Sequence, residues 1–83
     1  MKVQIKYFAS IRESIGVSTE SLETTAATLG LLRDQLIAQG GAHAQCLARG
    51  QAVRMAINQL MSEETATLVD GAEIAFFPPV TGG

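Results

Sequence analysis

Few side chains in this sequence could do chemistry. Cys46 and His43 stand three residues apart, a spacing that lets a nucleophile and a base meet on one helix face. No third group orients the histidine in the neighbouring sequence, and an isolated cysteine in a small domain usually packs as a small hydrophobe. One cysteine forms no internal disulfide, and one cysteine with one histidine cannot complete a structural zinc site. Glu63-Glu64 is an acidic pair that a solvated loop explains, without the surrounding pattern of a calcium loop. Arg12-Glu13 fits either a local ion pair or part of a partner contact. Gly40-Gly41 closes a helical pattern where a phosphate loop would open one and carry Lys-Ser/Thr, so a nucleotide site on this chain is not expected.

What remains is the carboxylate of Gly83, at the end of Ile74-Ala75-Phe76-Phe77-Pro78-Pro79-Val80-Thr81-Gly82-Gly83. Pro78 and Pro79 lack a backbone N–H and hold φ fixed, so they end a strand and keep the chain extended as it leaves. Gly82 and Gly83 have no side chains to obstruct a narrow channel. Two readings stay open on these residues alone: a frayed terminus, or a tail that a partner accepts. A carboxylate is a poor electrophile, so the second reading requires another protein to activate it, for instance as an acyl-adenylate.

Eighty-three residues form one domain, which buries roughly 60% of its unfolded surface and leaves little interior for an elaborate catalytic pocket. That size suits a carrier or adaptor. A net charge of −2 with 17% charged residues provides no basic footprint for nucleic acid and no polybasic arm for lipid, so neither partner is expected. Met1 to Tyr7 alternates where a signal peptide would be continuously apolar, and no run approaches the ~20 residues of a membrane span. A cytoplasmic location is expected.

The elements that position the tail follow from periodicity. Val3, Ile5 and Tyr7 share one face of a first strand. Phe8 to Gly16 is a connector of one helical turn whose apolar residues cap the core, and Val17 to Glu23 a second strand in a hairpin with the first. Thr28 caps a main helix through Gln39, with Leu29, Leu32, Leu36 and Ile37 as its buried stripe. Gly30 in its first turn costs ~1 kcal/mol relative to alanine. Ala42 to Arg49 forms a short helical segment. Val53 to Asn58 is a third strand, Gln59 to Thr65 a polar connection, and Gly71 turns the chain into a last strand, Glu73 to Phe77. Ile74 and Phe76 fall on one face of that strand, Ala75 and Phe77 on the other. An outward phenylalanine beside a tail fits a docking surface, and a sheet covered on both faces is the alternative. Strand, strand, helix, strand, strand is an α+β roll in which a mixed sheet carries one main helix on one face.

The stretch Phe8-Ala9-Ser10-Ile11-Arg12-Glu13-Ser14-Ile15-Gly16, the strand end Ala56-Ile57-Asn58-Gln59, and above all Asp70 to Gly83 resemble the small-subunit family of molybdopterin synthase, the MoaD sulfur carriers. The likeness spans the chain. Ala72, where an acidic residue is common, and Gly30 depart from the family pattern, and neither touches the tail.

The resemblance implies a ubiquitin-like β-grasp domain over residues 1–77 and an extended tail over 78–83. It implies that Gly83 is adenylated by a ubiquitin-activating-like adenylyltransferase using ATP and magnesium, and is then converted to a thiocarboxylate by a sulfurtransferase donor. Thr81, Gly82 and Gly83 would enter the large subunit of the synthase, while Phe77, Pro78, Pro79 and Val80 dock against it. There the sulfur passes to cyclic pyranopterin monophosphate, two transfers building the dithiolene of molybdopterin. A heterotetramer is implied, as is a chain that binds no metal or cofactor and has no catalytic residue of its own. A carrier for thiamine thiazole synthesis and a ubiquitin-like protein modifier are the alternatives.

Overall fold

The computed structural model describes residues 1–79. Alternation along Lys2–Tyr7 builds β1, with Val3, Ile5 and Tyr7 buried. The chain then enters α1 (Ala9–Ile15), seven residues where one turn was expected, which Gly16 closes in a left-handed conformation. Ile11 is buried and Ile15 packs against the core, but Phe8 does not cap it: Phe8 is 45% exposed. Leaving α1 uses Val17 and Ser18 in the turn, so β2 spans Thr19–Glu23, two residues shorter than expected, and pairs antiparallel with β1.

The main helix, α2 (Leu29–Ile37), begins as its sequence predicts. The Thr28 hydroxyl accepts a hydrogen bond from the Leu31 amide at 3.3 Å, and Leu29, Leu32 and Leu36 are fully buried. It ends two residues short of Gln39, and α3 (Gly41–Leu47) follows, inserting Leu47 into the core.

β3 (Arg54–Ile57) folds back on β4 (Leu60–Met61), a short strand within the expected polar connection. The two-residue turn between them places Asn58 at φ 50° and Gln59 at φ 71°, the mirror-image turn that matches the twist of a hairpin. The Asn58 side-chain oxygen also accepts from the Glu73 amide at 3.0 Å, anchoring the start of β5 (Glu73–Phe77). Gly71, at φ 81°, makes the turn before it.

Sheet order is β2-β1-β5-β3-β4, with β1 and β5 parallel and the other pairs antiparallel. One face of this mixed sheet presents Val3, Ile5, Tyr7, Met55, Ile74 and Phe76 to the α2 leucines and Leu47. The architecture is a ubiquitin-like β-grasp, with the last strand at the centre of the sheet.

Two features of this core were not anticipated. A Cβ on Gly30 would lie 2.9–3.2 Å from Oε1, Cβ and the backbone oxygen of Glu64, and the Gly30 amide donates to that backbone oxygen at 2.9 Å. Glycine there lets the segment between β4 and β5 lie against the first turn of α2, which accounts for a residue that helix propensity disfavours. Glu64, expected on a solvated loop, instead joins a charged network. The buried Arg33 donates from Nε to the Leu47 carbonyl at 2.7 Å and from Nη2 to the Ala48 carbonyl at 3.0 Å, with Nη1 3.4 Å from Glu64. Arg49 pairs with Glu64 at 2.6 Å and with Asp34, and donates to the Gly30 carbonyl at 3.1 Å. Burial lowers the pKa of Arg33 while the charge of Glu64 opposes that, and the hydrogen bonds that Arg49 donates to Glu64 and Asp34 raise its own pKa.

Candidate functional site

The nucleophile-and-base reading fails on geometry. His43 is turned toward the sheet, where its Nε2 lies 2.9 Å from Glu20 Oε2, and no hydrogen bond joins it to Cys46. The carboxylate only accepts, so Nε2 is the donor. The Tyr7 hydroxyl donates to the same oxygen at 2.7 Å, and its ring meets His43 edge-on at a centroid distance of 6.0 Å. Cys46 lies half-buried beside Ser10, Ile11, Ser14, Gln45 and Gln51 and packs against the core. Among the described residues, no group of three or more His, Cys, Asp or Glu is placed to hold a metal ion, and no helix is long and apolar enough to cross a membrane. Arg12 and Glu13 form no ion pair among those residues.

Glu20 has a titration consequence. Burial raises its pKa, but hydrogen bonds from His43 and Tyr7 and the His43 charge outweigh that, leaving it below 4.5. Burial, and then the bond to Glu20, raises the pKa of Tyr7. A carboxyl held below its unfolded value stabilises the fold above that value, and the contribution is lost as pH falls through the folded pKa. Wild-type protein is therefore expected to melt higher than Glu20→Gln at neutral pH, with the gap closing below about pH 4. A gap that persists unchanged in acid, measured by thermal denaturation across pH, would contradict this.

The surface that brings together the described residues expected to dock a partner lies at the end of β5. Because Ile74 and Phe76 are fully buried, strand alternation sends Ala75 and Phe77 to the opposite face, which no helix covers among the described residues. Register places Ala75 between Lys6 of β1 and Ala56 of β3, with Met61 of β4 beyond, and sets Arg54 opposite Phe77. Phe77, Pro78 and Pro79 are partly exposed and, with Phe8, Ala9 and Ala75, line an apolar groove. Lys6, paired with Glu73 at 3.3 Å, and Arg54 stand at its edges. Among the described residues, the groove around the outer phenylalanine is open and not covered by a second layer. Val80, Thr81, Gly82 and Gly83 lie outside the described residues.

Phe8 and Ala9 are the members of this groove that the sequence reading did not assign to it. A signal for Phe8 was present: extending the alternation of Val3, Ile5 and Tyr7 by one residue puts it on the outer face. Its amide donates to the Phe76 carbonyl at 3.1 Å, which holds it beside β5. Ala9 had no comparable signal. Its φ of 52° is left-handed, a conformation that costs alanine about 1–2 kcal/mol.

Sheet order, clasping helix and a groove where the last strand runs out define a ubiquitin-like β-grasp protein with its candidate site at the base of its tail. The chain belongs to the ThiS family, which matches residues 5–83. It is 41% identical to the molybdopterin synthase sulfur carrier subunit of Haemophilus influenzae, over 98% of this chain and 99% of that one. Among solved structures it resembles SAMP1, small archaeal modifier protein 1, from Haloferax volcanii, at TM-score 0.80 and 26% identity over the whole of both chains. It also resembles a chain in the complex of subunits 1 and 2 of molybdopterin-converting factor from Helicobacter pylori, at TM-score 0.70 and 26% identity over the whole of both chains.

Proposed function

We propose that this chain is the sulfur-donating small subunit of a molybdopterin synthase. The observation that carries the reading is the course of β5, which runs from the centre of the sheet into Pro78-Pro79 at an uncovered apolar groove. The full-length likeness to a named sulfur carrier subunit supports it. Phe77, Pro78, Pro79 and Val80 dock on the large subunit, and Thr81, Gly82 and Gly83 enter its active site. From Pro78 to Gly83 the extended reach is about 20 Å, enough to pass from a domain surface into a buried site.

Before that step, a ubiquitin-activating-like adenylyltransferase uses ATP and magnesium to adenylate Gly83. A sulfurtransferase donor then replaces AMP with sulfur, leaving the thiocarboxylate. In the synthase, a heterotetramer with two copies of this chain, sulfur passes to cyclic pyranopterin monophosphate. Catalytic residues belong to the large subunit, and this chain serves as cosubstrate, binding no cofactor itself.

Intact mass spectrometry after incubation with activating enzyme, ATP and a sulfur source tests the carrier step: a species with one oxygen exchanged for sulfur is expected. Its absence refutes the carrier reading. Mixing that species with large subunit and the cyclic pterin then tests the destination, since a thiamine thiazole carrier would yield no dithiolene. The likeness to small archaeal modifier protein 1 favours a second reading, a protein modifier. Lysine conjugates lost on deleting Gly83 would establish it.

A further inference from the structure

The chain holds three primary amines, the α-amine of Met1 and the ε-amines of Lys2 and Lys6. Each is a nucleophile toward a Gly83 carboxyl activated as an acyl-adenylate, and the fold treats the three differently. The Met1 amine donates to the Thr24 carbonyl at 3.0 Å, and the Lys6 ammonium is paired with Glu73 at 3.3 Å. Lys2 is exposed, and its ammonium takes part in no ion pair among the described residues. Its backbone, by contrast, is fixed: the amide donates to Asp70 Oδ1 at 2.7 Å, and the carbonyl accepts from the Gly71 amide at 2.8 Å. Strand register sets Glu23 directly across from it. An exposed amine on a rigid strand end, with two carboxylates beside it to take its proton, has the parts of an acyl acceptor.

We propose that Lys2 accepts the Gly83 acyl group of a second copy of this chain, joining the copies by an isopeptide bond. The inference rests on the activation of Gly83, which the carrier and modifier readings share. The first proton of the Lys2 ammonium passes to Glu23 or Asp70, and the nitrogen lone pair then bonds to the acyl carbon. AMP departs with the electron pair of the broken C–O bond, and the second amine proton goes to solvent. The donor is another copy because β5 runs parallel to β1 and ends at its Tyr7 end, away from Lys2. Lys2 lies about 23 Å back along the sheet from Pro78, so its own tail would have to double over at full extension. Each transfer leaves one Gly83 and one Lys2 unused at opposite ends, so repetition gives open chains.

The test incubates the full-length chain with activating enzyme and ATP, without a sulfur source, and reads the products by intact mass spectrometry and peptide mapping. Wild type should give a species of two chain masses less one water, with a branched peptide joining Gly83 to Lys2. Lys2→Arg should lower that species about tenfold or more, and Lys6→Arg should leave it unchanged. Glu23→Gln combined with Asp70→Asn should slow linkage about threefold at neutral pH, the difference closing near about pH 10, where free amine is already present. Equal rates across pH overturn the part given to the carboxylates. A branched peptide at Lys6 or Met1, or undiminished linkage in Lys2→Arg, overturns the assignment to Lys2. Acyl-adenylate without a linked species overturns the inference and leaves the carrier reading standing. Absence of the adenylate itself overturns the activation of Gly83, and both fall.

Discussion

Deleting Gly82 and Gly83 is expected to abolish dithiolene formation while leaving the melting temperature within about 1 °C of wild type. The two glycines carry no apolar side chain, so their loss removes almost no burial. On the proposed function, sulfur transfer depends on reach. The truncation withdraws the terminal carboxylate by about 7 Å and makes it that of Thr81, a branched residue. A displacement of about 1 Å at a reacting centre can cost a hundredfold in rate, so one several times larger leaves no measurable transfer. Mass spectrometry of the activated protein and a dithiolene assay with large subunit read the result. Residual transfer by the truncated chain would place the reacting group elsewhere, and a large fall in melting temperature would show that the tail supports the fold.

Arg33→Met is expected to have the largest effect on stability of any charged-residue substitution in the network around Glu64. Only 5% of the Arg33 side chain is exposed, and its guanidinium satisfies the Leu47 and Ala48 carbonyls where α3 ends. Methionine fills similar volume but leaves the buried Leu47 carbonyl without its Arg33 donor, while the Ala48 carbonyl keeps the Gln51 amide at 2.8 Å, and it removes a partner of Glu64. One orphaned buried acceptor and the loss of a half-buried charge contact together cost about 3 kcal/mol. A domain of this size has roughly 4–12 kcal/mol in total, so the melting temperature should fall by about 12–24 °C. Arg49→Met breaks more ion pairs, with both Asp34 and Glu64, yet Arg49 is 46% exposed and its pairs are screened by solvent. It should cost about 1 kcal/mol or less. Equal losses for the two variants would show that burial is not what decides the contribution of these arginines.

The elements legible in the sequence are those whose signal is local and periodic. Alternation in β1 and β5, the Thr28 cap and leucine stripe of α2, and the turn at Gly71 all appear where periodicity placed them. Local steric preference and the need to bury one face decide these together. β4 was not legible, because two exposed residues carry no period and their pairing depends on a turn at Asn58 and Gln59 without glycine. Arg33 was hidden for a different reason. A cation beside a helix stripe reads as solvated until the end of α3, distant in sequence, supplies carbonyls to it.

For the candidate site the division is similar. The sequence alone determined the order of strand, prolines and glycines at the tail, and the family they resemble, since covalent order and side-chain type are local properties. Only the tertiary structure decided what stands around the base of that tail. Parallel pairing of β1 with β5, and the left-handed turn at Ala9, bring Phe8 and Ala9 from the start of the chain to Phe77, Pro78 and Pro79 at its other end. Contact between residues so far apart in sequence follows from sheet order and burial, which no local pattern encodes.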